Sequence, residues 1–349
     1  MSRLSIPHAL VDVSPSDTLS RPLHDLRISV IDRCNFRCPY CMPEDKYKED
    51  HAFLSKSERL RFEEITRIAR VFAHLGVRKL RLTGGEPLLR RDLPALIEML
   101  AEIELIDDIA LTTNGMLLPR HAQSLRDAGL QRMTVSLDSL DPQIFRQLCG
   151  GKGEVEDVLA GIAAAERAGF TKIKINCVVM RGVNDDQVLN LVEHFRGTGH
   201  IPRFIEYMDV GTINGWKKDL VAPSVELKTR IAKRWPLEPL NPNYRGEVAQ
   251  RYKLADGSGE IGFISSVSQP FCGDCTRGRL SADGKLYTCL FAVSGHDIRT
   301  AMRDGASDTE LAALISGFWR ARKDRYSEVR AEIPANSSHE KVEMFTIGG

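Results

Sequence analysis

From residue 26 to residue 208 the chain alternates between two hydrophobic patterns. Short apolar or β-branched runs fall at 26–31, 78–83, 109–113, 133–137, 172–179 and 204–208. Between them, apolar residues recur every three or four positions. Ile65, Ile68, Ala69, Phe72 and Leu75 make one such face, and Gly76 follows as a stop. Gly129 and Gly169 follow later faces in the same way and read as C-terminal caps. Six strand–helix alternations predict a parallel sheet with right-handed crossovers. Eight would close a full barrel. Six predict an α/β fold of the partial, open TIM-barrel type.

Beyond residue 209 the pattern changes. Pro223, Pro236 and Pro242 interrupt it, and a short helix is predicted after Ser224. Strand-like runs follow at 249–254 and 260–267. Residues 279–281 and 285–289 flank Asp283-Gly284, a hairpin signal. A helix around 308–322 closes the pattern. Residues 1–22 show little periodicity and read as a flexible N-terminal tail. The expected organisation is therefore the tail 1–22, a barrel over 23–209 and an α+β extension over 210–349.

Strands covered on both faces normally read as continuous apolar runs. Here several carry charges at alternate positions. Arg27 and Ser29 share one face, as do Lys79, Arg81 and Thr83, and Lys172, Lys174 and Asn176. In a curled sheet the common side is the lumen. Buried cations without partners are costly, so a polyanion such as a triphosphate would explain them. The alternative is a solvent-facing side of a less closed sheet. Arg277 and Arg279 would add to the same patch.

Composition narrows the class. The 349 residues are 42% hydrophobic and 27% charged, which excludes collagen-like, coiled-coil and wholly disordered chains. With 48 basic and 47 acidic residues, the net charge of +1 makes no field for nucleic acid or an anionic membrane. No apolar run is long enough to span a bilayer. The first 25 residues hold Asp12, Asp17 and Asp25 and no apolar core, so no signal peptide is expected. A cytoplasmic protein is the expectation.

Six of the eight cysteines form two triplets. Cys34, Cys38 and Cys41 are spaced C-x3-C-x2-C directly after the first strand. Cys272, Cys275 and Cys289 are spaced C-x2-C-x13-C, and the hairpin would fold the third back toward the pair. Clustered thiols in a reducing compartment point to metal rather than disulfides. Three thiolates hold three corners of a cubane iron–sulfur cluster, and a missing fourth leaves one iron open. The competing reading is structural zinc, with His51 or His296 as fourth ligand. Cys149 and Cys177 are isolated, and Cys177 reads as a buried small hydrophobe. The second strand ends in Thr83-Gly84-Gly85-Glu86-Pro87, where glycines permit close backbone approach to a ligand.

The first triplet resembles the cysteine loop of the radical S-adenosylmethionine (SAM) enzymes. Taken in order with Leu26-Arg27-Ile28-Ser29, Thr112-Thr113-Asn114-Gly115, Arg203-Phe204-Ile205-Glu206 and Cys272 through Leu290, the chain resembles the GTP 3′,8-cyclase family of molybdenum cofactor biosynthesis. The resemblance implies two [4Fe–4S] clusters, one on each triplet, with SAM on the open iron of the first and guanine on that of the second. It implies cofactor contacts from Tyr40, Gly85, Ser136 and Met208. It implies GTP contacts from Arg27, Arg81, Thr112, Lys174, Arg277, Gly278 and Arg279, with Lys79 and Arg203 as lesser candidates. Gly278 stands where the family commonly has Ala. The family threads its terminal Gly-Gly into the active site, so Gly348 and Gly349 are assigned a part in catalysis. An adenosyl radical would take hydrogen from C3′ of GTP, and the carbon radical would attack C8. Implied partners are an electron donor, a downstream cyclic pyranopterin monophosphate synthase and a second copy of the chain in a homodimer. Two rivals are another radical SAM enzyme with an auxiliary cluster and a zinc-binding interaction module.

Overall fold

In a computed structural model, residues 14–48, 50–332 and 340–349 are described. The strands are β1 (Asp25–Ser29), β2 (Lys79–Thr83), β3 (Asp108–Thr113), β4 (Arg132–Ser136), β5 (Lys174–Val179) and β6 (Ile201–Glu206), followed by β7 (Leu237–Leu240), β8 (Gln250–Leu254), β9 (Glu260–Ile264), β10 (Arg277–Leu280), β11 (Lys285–Tyr287) and β12 (His296–Asp297). The helices are α1 (Phe62–His74), α2 (Leu93–Ala101), α3 (Leu118–Asp127), α4 (Pro142–Leu148), α5 (Val155–Arg167) and α6 (Val188–Phe195), then α7 (Ser224–Ala232), α8 (Arg299–Arg303), α9 (Asp308–Arg320), α10 (Tyr326–Val329) and α11 (Met344–Ile347).

The six expected strands pair side by side in chain order, all parallel. The sheet does not stop there, which corrects the six-unit expectation. β10 adds parallel to β1 and β9 adds parallel to β6, so eight neighbouring strands run parallel in the order β10-β1-β2-β3-β4-β5-β6-β9. Antiparallel β11 and β12 then extend one flank, and β8 and β7 the other. The C-terminal part thus covers both edges of the N-terminal sheet, and an uncovered edge is an open template for further pairing. Among the described residues the two flanks do not pair with each other, which leaves the sheet open. The expected hairpin at Asp283-Gly284 joins β10 to β11.

Alternation divides each strand between two environments. In β1, Leu26 and Ile28 are fully buried among Ile65, Ile68 and Phe72 of α1, while Arg27 takes the opposite side. Each such aliphatic side chain contributes about 1.5–3 kcal/mol on burial. The same helix-facing set continues with Leu80, Leu82, Leu111, Val135 and Ile175. Cys177 is buried in that core, as expected. The expected helix around 308–322 is α9, started by a capping box between Ser307 and Glu310 and buried through Leu311, Ile315 and Trp319. Among the described residues, no helix is long and apolar enough to cross a membrane.

Of the expected flexible tail, residues 1–13 lie outside the described residues. Residues 14–22 depart from that expectation and pack against the C-terminal part. Asp17 and Arg21 are buried and paired at 2.5 Å, and the Trp319 indole N–H donates to the Arg21 carbonyl at 3.0 Å. Low periodicity marked this segment as structureless, whereas charge pairing rather than an apolar stripe holds it.

Candidate functional site

The first cysteine triplet sits on the loop after β1, at the C-terminal ends of the parallel strands. Two backbone bonds fasten that loop to the segment after β2: Gly85 N–H to the Ile31 carbonyl and Glu86 N–H to the Arg33 carbonyl, each 2.8 Å. A Cβ on Gly84 would overlap the Ile31 carbonyl, and one on Gly85 the Arg33 carbonyl. The glycine pair therefore serves, first, the approach of two backbones. Glu86 is buried and ties the loop's support together, accepting from Leu88 N–H, the Thr113 hydroxyl and Asn114 N–H at 2.8–3.0 Å. Burial outweighs these donors and raises its carboxyl to about 7. Arg37 wraps the loop from within, donating to the carbonyls of Cys34, Phe36 and Tyr47.

The three thiols are free and partly covered. Burial, then the neighbouring Glu86 carboxylate, pushes Cys34 up to about 12. Burial and the two sister thiols push Cys38 well up, and burial with Cys34 does the same to Cys41. Three mutually repelling thiols of this kind ionise together only around a cationic centre. That donor set fits an iron–sulfur cluster. It does not fit zinc with His51, which is exposed and packs edge-on against Tyr47 and Phe53. Among the described residues, no three Cys, His, Asp or Glu side chains converge on a single ion.

Tyr40 donates to Asp138 at 2.6 Å, and burial, partly offset by this bond and by Val178 N–H, raises Asp138 to about 6. Ser136 ends β4 beside Asn176 of β5. Met208 follows β6 and lines the lumen cavity, and Ser136 shares the β4 face of the lumen-lining Thr134.

Sheet register gathers the expected cations. Arg27 lies between Arg279 on β10 and Arg81 on β2, and Thr134 on β4 is level with Thr112 on one side and Lys174 on the other. A cavity of about 180 Å³ is lined by Arg27, Lys79, Arg81, Thr112, Lys174, Arg203, Arg277 and Arg279. The Arg81 guanidinium donates to the Thr112 and Thr134 hydroxyls at 3.0 and 3.1 Å. Burial and then the neighbouring cations lower Lys174 to about 7 and Arg203 and Arg279 to about 10. Arg203 Nε and Asn176 Oδ1 are buried without a hydrogen-bond partner. So many cations facing one space favour an anionic occupant.

Two expectations change. Gly278 faces away from the lumen, between Leu23, Leu26 and Leu286, because it alternates with Arg277 and Arg279. Its side of the strand belongs to the core, leaving only its backbone for a ligand. Lys172 precedes β5 and lines a neighbouring cavity of about 380 Å³, whose wall includes Arg251 and Glu260 and which meets the lumen cavity at Arg132, Lys174, Arg203 and Glu247.

Sequence reasoning missed Tyr244, Glu247 and Arg132. Tyr244 lies under Lys79, whose ammonium is 3.1 Å from the ring centre, and it stacks on His24. It belongs to a turn-rich stretch around Asn241-Pro242-Asn243, where no periodicity signals an inward aromatic. Arg132 pairs with Asp108 at the first positions of β4 and β3.

The second triplet lines the same cavity. Cys272 and Cys275 precede β10, and Cys289 follows β11, brought back by the hairpin. Burial raises Cys275, but the charges of Arg277 and Arg322 reverse this and hold it at about 6. Cys289 is pushed up to about 12 by burial and then Asp324. His296 is exposed on β12, stacked on Phe318 at 4.0 Å, which leaves it elsewhere than the triplet.

The chain's end reaches the lumen cavity. Arg279 donates to the Gly348 carbonyl and, at 3.4 Å, to that of Ile347. Gly348 has φ +71, and a Cβ there would overlap the Thr83 side chain. Gly349 lines the cavity.

Comparison with known proteins agrees with this geometry. Residues 28–195 match the Radical SAM superfamily, and residues 201–328 match Molybdenum Cofactor Synthesis C. The GTP 3′,8-cyclase of Xanthomonas campestris is 60% identical, covering 95% of this chain and 97% of its own. Those of Acidothermus cellulolyticus and Staphylococcus aureus are 53% and 47% identical over 95% of this chain and 98% of theirs. The solved structure of Streptococcus suis SuiB bound to S-adenosylmethionine shares the fold, with a TM-score of 0.60 at 16% identity, covering 91% of this chain and 70% of that one. With the cysteine loop, the cation-lined lumen and full-length relatives in agreement, the chain belongs to the GTP 3′,8-cyclase family of the radical SAM superfamily.

Proposed function

We propose that this chain converts GTP to (8S)-3′,8-cyclo-7,8-dihydroguanosine 5′-triphosphate, the first step of molybdenum cofactor biosynthesis. One observation carries the reading: a single cavity is lined by the buried cations, by all three cysteines of the second triplet and by the C-terminal glycine. Cys34, Cys38 and Cys41 would hold a [4Fe–4S] cluster, and Tyr40, Gly85, Ser136 and Met208 would contact SAM. Once bound, that pair would supply one-electron radical chemistry.

The remaining tasks fall to the chain's own groups. Arg27, Arg81, Thr112, Lys174, Arg277, Arg279 and the Gly278 backbone, joined by Lys79 and Arg203, hold the triphosphate. Their mutual repulsion makes the empty lumen electrostatically unfavourable, so a polyanion gains from every one of them. Cys272, Cys275 and Cys289 would hold a second [4Fe–4S] cluster, which would anchor the guanine end of the nucleotide. Fixing the nucleotide at both ends orients C3′ and keeps water away. Gly348 assists by holding Arg279 through its carbonyl, and Gly349 by lining the lumen. The extension 210–349 thereby completes a site begun by the barrel 23–209. An electron donor and a synthase that consumes the product are the partners this reading requires.

The test is isotope transfer. The protein is reconstituted without oxygen and supplied with reductant, SAM and GTP deuterated at C3′. Deuterium in the 5′-deoxyadenosine is expected. Unlabelled 5′-deoxyadenosine, formed at a rate indifferent to GTP, would remove GTP as the substrate.

A further inference from the structure

The N-terminal segment 14–22 is outside the barrel in sequence, yet it touches the second triplet. Arg21 is fully buried and donates through one guanidinium nitrogen to the Cys272 carbonyl at 2.7 Å and the Asp324 carbonyl at 2.8 Å. Arg322, also buried, donates to the Cys275 carbonyl at 2.7 Å. The two guanidiniums share one carboxylate. Asp17 Oδ2 accepts from Arg21 Nε at 2.5 Å and from Arg322 at 3.3 Å. The other oxygen of Asp17 accepts from the backbone N–H groups of Leu19 and Arg21. Asp324 adds a second carboxylate, 3.4 Å from Arg322 Nε and bonded to the Thr288 hydroxyl, one residue before Cys289. The flat face of Arg322 rests on Trp319, 4.6 Å away.

This clamp has unfinished valences. Among the described residues, one terminal nitrogen of Arg21 is buried with no hydrogen-bond acceptor, and Nε of Arg322 has only the Asp324 carboxylate, at 3.4 Å and poorly aligned. Both side chains line the cavity shared with Cys272, Cys275 and Cys289. Buried guanidinium N–H groups are rarely left unpaired without reason. An anionic acceptor in the cavity they share with the three cysteines would complete them, and the sulfur atoms of an iron–sulfur cluster are of that kind.

We infer that Asp17, Arg21 and Arg322 form a positioning clamp for the C-terminal cluster, and that Arg322 sets its reduction potential through its charge. The inference rests on the reading that the second triplet holds a cluster. Cluster potentials respond to net charge, hydrogen bonds to sulfur and solvent exposure, and outer-shell partners orient the ligands themselves. The clamp acts through charge and through the backbone of the ligands. It fixes two of the three cysteines by their carbonyls, it places guanidinium charge beside the site, and its buried side chains line the cavity. It also gives residues 14–22 a task that ties the start of the chain to its far end.

The opposed charges predict opposed shifts. Arg322→Gln removes a cation and lowers the midpoint potential of the C-terminal cluster. Asp17→Asn removes the shared anion and raises it. Arg322→Lys keeps the charge and restores most of the shift, while losing grip on the Cys275 carbonyl. The experiment uses the full chain with Cys34, Cys38 and Cys41 changed to Ala, so that only the second triplet can hold iron. Iron is counted after anaerobic reconstitution, and the potential is followed by electron paramagnetic resonance during redox titration. Where Arg322→Gln fails to retain iron, Asp17→Asn against the parent gives the sign, with Arg322→Lys as the charge-conserving control. Opposite shifts for charge removal at Arg322 and Asp17 support the inference. Equal potentials in parent and variants, with iron retained, overturn it and leave the cluster assignment standing. A parent that holds no iron overturns the cluster assignment and the clamp together.

Discussion

Gly85 tests whether the glycine pair after β2 exists to seat the cysteine loop. Its φ lies outside the left-handed region, so alanine there carries no backbone penalty and the effect is purely steric. The added Cβ would overlap the Arg33 carbonyl and stand 3.0 Å from the Cys34 amide nitrogen. Both are backbone, which cannot swing aside as a side chain can. Relief requires the two segments to part, which breaks the bonds from Gly85 N–H to Ile31 and from Glu86 N–H to Arg33. Two such bonds are worth about 1 kcal/mol each, and overpacking adds about 1–3 kcal/mol. Gly85→Ala should therefore loosen the loop by about 3–5 kcal/mol. The assay is iron binding at the first triplet alone, in a chain with Cys272, Cys275 and Cys289 changed to Ala, together with the thermal unfolding midpoint. The variant should lose most of its iron and unfold at a lower temperature. Gly182→Ala is the control. It has φ +72 and open space around it, so it should lower stability by about 1 kcal/mol and leave iron unchanged. Full iron loading in Gly85→Ala, with an unchanged midpoint, would refute the argument.

Further expectations follow from the same geometry. Removing Gly348 and Gly349 frees Arg279 from its carbonyl partner; cyclisation should be lost while iron content stays that of the full chain, and unchanged turnover would contradict this. Lys174, lowered to about 7 by burial and the surrounding cations, must be protonated to bind phosphate. GTP affinity should accordingly fall by up to about tenfold per pH unit above 7, with proton uptake seen by calorimetry in buffers of different ionisation heat. Lys174→Met should abolish that uptake. Gly317 lies exposed inside α9 with nothing near its missing Cβ. Gly317→Ala should raise stability by about 0.5–1 kcal/mol, read as a higher unfolding midpoint with unchanged iron.

Local pattern carried much of this protein. The six parallel strands of the barrel follow from short runs separated by helical faces, because strand and helix periods are properties of a dozen consecutive residues. The lumen cations were legible for the same reason. Alternate charges at Arg27, and at Lys79 and Arg81, place themselves on one side of a strand whatever its neighbours are. Both cysteine triplets were legible from spacing alone. At Gly278 the same rule of alternation, fully applied, already places the residue in the core beside Leu26 and Leu286.

Tertiary structure decided what depends on distant partners. β9 and β10 join the flanks of the sheet in parallel, and a strand's own residues do not state which edge it will meet. Tyr244 enters the lumen from a turn-rich stretch because Lys79 and His24 pack against its ring. Residues 14–22 lack periodicity and still pack, because Asp17 finds Arg322 about three hundred positions away. The glycines after β2 announced a close approach, but only the fold identified the approaching backbone as that of Ile31 and Arg33. Periodicity reports which face of an element is apolar. Pairing of charges, edges and backbones across the chain is set by the arrangement that satisfies all of them at once.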